Sequence, residues 1–225
     1  MVMNIAVCFS GQLRSIELTY KNINKFLNNN FEDYKIFAHI PENKKINQQF
    51  DQYFQDSLYI IEKDPNIRKT KLKNSQFKSV KNKFKSLRKA KIAHMQQLYG
   101  IFKCNELKKE YEAKNNLVFD WVLRCRSDLM FYDSNIDLSK MNNKYLYTPN
   151  FHNWSGINDR FIISSSENMN TFADLYNYIL QNEIDGFNAE SIFKNYLDAK
   201  SIELREVNTV RFNRVRADGV ELQDF

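Results

Sequence analysis

Short apolar runs alternate with longer amphipathic stretches along the chain. The runs have the length of strands, and the stretches carry apolar side chains every three to four residues, as helices do. Strands are predicted at residues 4–9, 34–40, 58–62, 119–125, 145–147, 159–164 and 202–207. Helices are predicted at residues 16–27, 47–55 and 86–114, and after Ser164 and Asn188. Strands that alternate with helices indicate an α/β protein.

Residues 119–132 separate apolar from charged side chains most clearly. Successive side chains of a strand point to opposite faces. One face is apolar and contains Phe119, Trp121, Leu123 and Cys125. The other face ends in Arg124, Arg126 and Asp128. Ligands of open α/β sheets bind at the carboxyl ends of strands. The three charged side chains therefore predict either a site for phosphate and a metal, or ion pairs across the sheet.

A turn with a single glycine follows the first predicted strand. Ser10, Gly11 and Gln12 form the turn, and Arg14 lies between it and the next helix. A strand, a glycine turn and a helix can direct backbone N–H groups and a helix N-terminus at a phosphate. Many α/β connections have this form, so the turn alone does not define a site.

Composition predicts one domain over residues 1–225. The chain is 43% hydrophobic, which is enough for one core, and its 5 Gly and 3 Pro argue against long linkers. No apolar run has the length of a transmembrane helix, and the start lacks the features of a signal peptide. Cys8, Cys104 and Cys125 lie in apolar contexts, which is typical of buried reduced thiols. We therefore expect a cytoplasmic protein.

Positive charge is concentrated between Lys63 and Lys91. This basic segment has 12 Lys or Arg and one Asp, a net of +11, whereas the whole chain carries +6, so the remainder is acidic. Few aromatic residues accompany the charges, so the segment does not predict nucleic-acid binding. It is either a solvated insertion or a surface that attracts an anionic acceptor or the inner face of a membrane.

Three further features each admit two interpretations. Trp154, in a loop rich in Asn, either stacks on a sugar ring or plugs the core. Gly100, inside a predicted helix, marks either a close approach or a tolerated defect. The tail of the chain either crosses the site to hold phosphate or is a solvated end, and its arginines are Arg211, Arg214 and Arg216.

Residues 120–129 resemble the segment Tyr/Phe-Asp-x-Val-x-Arg-x-Arg-x-Asp-Leu of glycosyltransferases with a GT-A-type nucleotide-sugar-binding fold. Such enzymes occur in bacterial surface-polysaccharide loci and in large DNA viruses. Similar segments of the family match Ala6–Arg14, Met95–Tyr111 and Gly156–Ser164. The resemblance covers about residues 4–40 and 90–200. It implies a GT-A-like, Rossmann-like fold, in which helices flank a mixed, mostly parallel sheet.

The resemblance also implies an activity. A sugar would move from a nucleotide-diphosphate sugar to a surface-glycan or lipid-linked saccharide acceptor. The implied donor-binding residues are Ser10, Gly11, Gln12, Arg14, Arg124 and Arg126. Asp159 and Glu190 are the candidates for the carboxylate that binds or deprotonates the acceptor.

The implied metal site departs from the usual pattern. GT-A enzymes commonly hold a divalent ion with Asp-x-Asp, but here Arg126-Ser-Asp128 supplies only the second acid. Asp128 could hold Mg²⁺ or Mn²⁺ with waters and phosphate, or Arg124 and Arg126 could replace part of the metal's charge. We expect that Asp128 places a weakly held metal, while Arg14 or Arg126 binds the diphosphate directly.

Two other classes are weighed against this enzyme. The first is a non-catalytic module that either binds a polyanion through the basic segment or binds a nucleotide. The second is a nucleotidyltransferase, which would usually need a Gly-rich phosphate loop that the sequence lacks.

Overall fold

The computed structural model describes residues 3–42, 50–65, 87–186 and 188–225. In chain order its strands are β1 Ile5–Ser10, β2 Lys35–Pro41, β3 Leu58–Glu62, β4 Trp121–Cys125, β5 Leu129–Phe131, β6 Leu146–Pro149, β7 Phe161–Ser164, β8 Leu204–Val207, β9 Phe212–Val215 and β10 Glu221–Leu222. The helices are α1 Ile16–Asn30, α2 Leu87–Asn115, α3 Ser166–Ala173, α4 Leu175–Gln181 and α5 Ala189–Ala199. Every predicted strand is confirmed to within a few residues. The helix predicted at 47–55 begins outside the described residues, and a 3₁₀ turn forms at Phe50–Gln52.

Seven strands form the central sheet in the order β3-β2-β1-β4-β7-β6-β8. All of them run in one direction except β7, which is antiparallel to both of its neighbours. In this order, β2 lies on one side of β1 and β4 lies on the other. Where the strand order reverses in this way, a crevice forms at the carboxyl ends of the strands. The sequence-based expectation of a mixed, mostly parallel sheet with flanking helices is confirmed.

A second sheet was not predicted. It has three strands in the order β10-β9-β5, and β9 pairs with β5 so that Leu129 lies opposite Arg214. The stretch that the sequence presented as one unit therefore divides between the two sheets, with residues 126–128 as the corner between β4 and β5. The interpretation of the tail as a solvated end is wrong, because residues 212–215 form the middle strand of this sheet.

Apolar side chains pack against both faces of the central sheet. Along β1, Val7 packs with the residues of α1, whereas Ala6 packs with those of α2. Trp121 and Leu123 of β4 face α1, as their alternation predicts. Phe119 was expected on the same face, but it packs on the α2 side. The reason is that β4 begins only at Trp121, so strand alternation does not extend back to Phe119.

Helix α2 lies directly against the ends of β1 and β2. A Cβ atom placed on Gly100 would be 3.2 Å from Nδ1 of His39 and 3.6 Å from Cβ of Ser10. The absence of a side chain lets the helix approach at this point, so the structure favours the close approach over the tolerated defect. One side of α2 therefore forms a wall above the carboxyl ends of the strands.

The sequence predicts buried, reduced cysteines and no transmembrane helix. Cys8, Cys104 and Cys125 are buried and free, as predicted. Within the described ranges, no helix has the length and apolar character needed to cross a membrane. Most of the basic segment, residues 66–86, lies outside the described residues, so its interpretation stays a prediction.

A buried ion pair joins α2 to α3 and to the chain that enters β4. Nζ of Lys108 lies 3.0 Å from Oε2 of Glu112, and the Lys108 side chain has no exposed surface. The same Nζ donates to Asn170 Oδ1 at 3.1 Å and to the hydroxyl of Ser166. Oε1 of Glu112 accepts the backbone N–H of Phe119 at 3.0 Å. This network ties the long helix to the strand that carries the site.

We predict that Lys108→Met lowers the free energy of unfolding by about 3–5 kcal/mol, because it leaves the Glu112 carboxylate buried without its cation. The neighbouring Lys109 is the matched control. It pairs with Glu106 at the surface, with side chains 48% and 36% exposed, so Lys109→Met should cost about 0–1 kcal/mol. Urea unfolding measures both values, and equal losses would contradict the assignment.

Candidate functional site

A cleft of about 380 Å³ opens at the carboxyl ends of β1 and β4. Its walls are the turn after β1, the residues that end β4, and one side of α2. All six residues that the sequence assigned to the donor line this first cleft, namely Ser10, Gly11, Gln12, Arg14, Arg124 and Arg126. Asp128 lines it as well. The fold therefore brings the predicted donor residues together from two distant parts of the chain.

The turn after β1 depends on Gly11, whose φ of +121° is a conformation that L side chains rarely adopt. Its N–H donates to the carbonyl oxygen of His39 at 3.2 Å, which fixes the turn against the end of β2. Nε of Arg14 donates to Oε1 of Gln12. Among the described residues, no carboxylate forms an ion pair with Arg14, so its positive charge is available to a ligand.

Arg124 places a guanidinium in the floor of the first cleft. The residue is only 2% exposed, and its Nε and Nη1 have no hydrogen-bond partner among the described residues. Burial lowers the pKa of Arg124 because the charged form loses its water, and the negative charge of Asp159 opposes this shift. Buried donors without partners are costly. Because they lie at a cleft, these donors are placed to bind a group that accepts hydrogen bonds.

Arg126 and Asp128 form a two-pronged ion pair at the corner between the sheets. Nε of Arg126 lies 2.8 Å from Oδ1 of Asp128, and Nη2 contacts Oδ2. Burial by itself would raise the pKa of Asp128, but the charge and hydrogen bonds of Arg126, together with the charge of Arg214, lower it below its ordinary value. Asp128 is therefore a carboxylate at neutral pH, and both of its oxygens already have a cationic partner.

These contacts bear on the metal that the resemblance implies. A divalent ion at Asp128 would have to compete with the guanidinium of Arg126 for both carboxylate oxygens. Within the part of the chain that the structure describes, no group of three or more His, Cys, Asp or Glu side chains is arranged to hold a metal. The donor set around Asp128 therefore fits a guanidinium better than a metal ion.

Asp159 lies beside the first cleft. It is 5% exposed and accepts a hydrogen bond from Nε2 of Gln97, a residue of the cleft wall. Because β7 is antiparallel, its beginning lies at the edge where β4 ends, with Phe161 opposite Cys125. The candidate acid thus reaches the same edge as the arginines, but it does not line the cleft itself.

Two charged residues near this edge were missed by the sequence-based assignment. Arg160 is 7% exposed, and its backbone N and Nη1 lie 3.2 and 3.1 Å from Oδ1 of Asn158. Asp64 lines the first cleft just beyond β3, and its Oδ1 is buried without a partner among the described residues. Burial raises the pKa of Asp64. The sequence offered one weak signal for each residue. Arg160 directly precedes an apolar run, and Asp64 is the one acid in the basic segment.

A second cleft of about 430 Å³ adjoins the first, and both are lined by Arg14, Arg126 and Asp128. Its far wall is the end of β9 and the chain that follows it, residues 214–218. The hydroxyl of Ser15 donates to the carbonyl of Val215 at 2.8 Å, and Val215 N donates to the carbonyl of Asp128 at 2.8 Å. The small sheet is thereby held against α1 and the corner.

Glu190 lines neither cleft. It lies in the first turn of α5, and its carbonyl accepts the N–H of Ile157 at 3.2 Å. A Cβ atom on Gly156 would be 2.0 Å from that carbonyl oxygen, so the close packing of the loop on α5 requires glycine there. The structure therefore groups Glu190 with the loop before β7, apart from the donor residues.

Trp154 is not a plug for the core, because it is 56% exposed. The loop carries it in a left-handed backbone conformation with φ of 46°. Its ring lies 5.5 Å from that of His152, and Nε2 of His152 is 3.8 Å from Asp224, the partner of Arg214. These contacts connect the exposed indole to the wall of the second cleft.

The sheet order and the position of the clefts define an α/β protein with a mixed, mostly parallel sheet flanked by helices, an arrangement that is compatible with a Rossmann-like fold. The chain belongs to the family DUF7796, which is described as a domain of unknown function and whose profile matches residues 2–214. A search of curated proteins found no match. The family description assigns no chemistry, so the function must be argued from the clefts.

We predict that Asp128→Asn lowers the free energy of unfolding at pH 7 by about 1–3 kcal/mol, because Arg126 loses its charged partner. The pKa of Asp128 is lowered by folding. Its contribution is therefore fully present above the pKa of the unfolded state and disappears as the pH falls through the folded pKa. The difference between parent and variant should shrink toward zero on acidification.

Urea unfolding between pH 7 and pH 3 measures this difference. Asp218→Asn is the control, since among the described residues no cation forms an ion pair with Asp218, and this variant should change stability little at any pH. A constant deficit for Asp128→Asn across the range would show that the ionised carboxylate is not the source of the stabilisation.

Proposed function

We propose that this protein is a glycosyltransferase that moves a sugar from a nucleotide-diphosphate sugar to a saccharide or lipid-linked acceptor. The observation that carries the proposal is Arg124, a buried guanidinium with two nitrogens that lack a partner among the described residues, at the cleft beyond the carboxyl ends of β1 and β4. Dinucleotides and nucleotides bind at this position in open α/β sheets. The mixed sheet is also compatible with the GT-A-like fold that the sequence resemblance implies.

The first cleft is suited to a diphosphate. Guanidinium groups bind phosphate oxygens through two parallel hydrogen bonds. The cleft is lined by Arg14 from the connection after β1 and by Arg124 and Arg126 from the end of β4. Its volume of about 380 Å³ falls within the range of about 300–1,000 Å³ for small-molecule sites. Cations that are already fixed in place would stabilise the negative charge that develops on the leaving nucleotide diphosphate.

The acids have different parts in this proposal. Asp128 orients Arg126 at the junction of the clefts through its two-pronged contact. Asp159 accepts a hydrogen bond from Gln97, and its negative charge partly compensates the positive charge of Arg124. No step of the proposal passes through a metal or through Glu190. The assignments of Mg²⁺ or Mn²⁺ to Asp128, and of the general base to Asp159 or Glu190, stay predictions.

We expect Arg124→Lys to weaken binding of the nucleoside diphosphate at least about tenfold, since lysine cannot reproduce bidentate contacts. Arg211→Lys is the matched control, because Arg211 is exposed and lines neither cleft. Calorimetric titration with UDP, GDP, ADP, CDP and dTDP, each with Mn²⁺ and with EDTA, measures the affinities. Equal affinity in the parent and in Arg124→Lys would remove the arginine from the site.

The chelator arm tests how the diphosphate is held. If the guanidiniums hold it, EDTA should leave most of the affinity in place, and complete loss of binding under EDTA would favour a metal-based site. A transfer assay uses the nucleotide sugar that binds best and measures the nucleoside diphosphate that is released. This assay distinguishes an enzyme from a module that only binds nucleotides.

A further inference from the structure

Two arginines line the second cleft without a carboxylate partner among the described residues, namely Arg14 and Arg216. Arg14 directly precedes Ser15, and Arg216 directly follows Val215. Ser15 and Val215 are joined by a hydrogen bond of 2.8 Å from the Ser15 hydroxyl to the Val215 carbonyl. Both guanidiniums line the same cleft. The fold therefore places both arginines on the wall of one cleft.

The other two arginines of this cleft are compensated. Arg126 pairs with Asp128, and Nε and Nη2 of Arg214 lie 2.6 and 2.8 Å from the oxygens of Asp224, which is 3% exposed. Among the described residues, neither Arg14 nor Arg216 has an equivalent ion pair.

Asp218 lines the same cleft, but its Oδ1 accepts the backbone N–H of Val220 at 3.1 Å. It forms no ion pair with either uncompensated arginine among the described residues. Like charges in a partly enclosed site repel each other unless an anion lies between them, so the cleft is suited to bind one.

We infer that the second cleft binds a phosphoryl group of the acceptor, with Arg216 as its specific contact. This inference rests on the proposed function. The donor diphosphate is assigned to the first cleft, and the two substrates of a transfer must meet at the residues that both clefts share, Arg14, Arg126 and Asp128. The acceptor then approaches from the second cleft, and the uncompensated charge there selects an anionic acceptor.

The phosphoryl group could belong to a lipid-linked diphosphate or to a soluble phosphorylated sugar. Calorimetric titrations with pyrophosphate, farnesyl diphosphate and glucose 1-phosphate test both sources on the full chain. Arg216→Gln should weaken at least one of these probes about tenfold or more. Arg211→Gln is the matched control and should leave every affinity unchanged, since it removes an exposed arginine outside both clefts.

The probe that depends on Arg216 identifies the acceptor class. If only the binding of farnesyl diphosphate depends on Arg216, the acceptor is lipid-linked. If the binding of glucose 1-phosphate depends on Arg216, the acceptor is a soluble sugar phosphate. Arg124→Lys should leave this Arg216-dependent binding in place, because the two arginines line different clefts. If all three probes bind the parent and Arg216→Gln equally, or if none binds the parent, the inference is wrong.

The nucleotide titrations keep this result separate from the proposed function. Nucleoside-diphosphate binding that depends on Arg124, together with no effect of Arg216→Gln on any phosphate probe, would leave the donor site intact and overturn the acceptor site. Phosphate binding that depends on Arg216, with no nucleotide binding at all, would overturn the glycosyltransferase and leave an anion site of another kind.

Discussion

A positive charge buried in the middle of a sheet must be compensated, and much of this fold can be understood from that requirement. Taking an ion out of water costs several kcal/mol even in a relaxed protein. Arg124 lies in β4, between β1 and β7. The reversed direction of β7 brings the acid before it, Asp159, to the same edge as the arginine, and α2 supplies Gln97 to hold that acid in place. The nitrogens of Arg124 that lack a partner among the described residues belong to the lining of the first cleft, where an anion would complete the compensation.

The corner between β4 and β5 joins the two halves of the site. A three-residue passage takes the chain from the large sheet to the small one, and its Arg126 and Asp128 line both clefts. Because Val215 bonds to the backbone of Asp128 and to the hydroxyl of Ser15, the last strands of the chain are fixed to residues near its start. The site therefore depends on a contact between parts of the chain that are 200 residues apart.

The elements were predictable where one local rule decided them. β3 was predicted at its observed residues because a short apolar run of strand length lies there. Gly100 allowed either a close contact or a tolerated defect, because a glycine inside a helix is unfavourable, and only the structure decided between the two. The small sheet was not predictable, because the pairing of β5 with β9 depends on tertiary contacts and leaves no periodic signal. Strand alternation placed Arg124 and Arg126 on one face, but the partners of Arg126 and Asp159 depend on packing. Phe119 shows the limit of alternation, which holds only within the strand.

The two tryptophans of the chain lie in opposite surroundings. Trp121 is 4% exposed in the core face of β4, and Trp154 is 56% exposed in the loop before β7. An indole in water and an indole in an apolar core emit at different wavelengths, so the protein carries two intrinsic fluorophores that report on different events. Loss of the core changes the emission of Trp121, whereas a molecule that covers the loop changes that of Trp154. The spectrum of the unlabelled protein can therefore distinguish occupancy of this surface from unfolding.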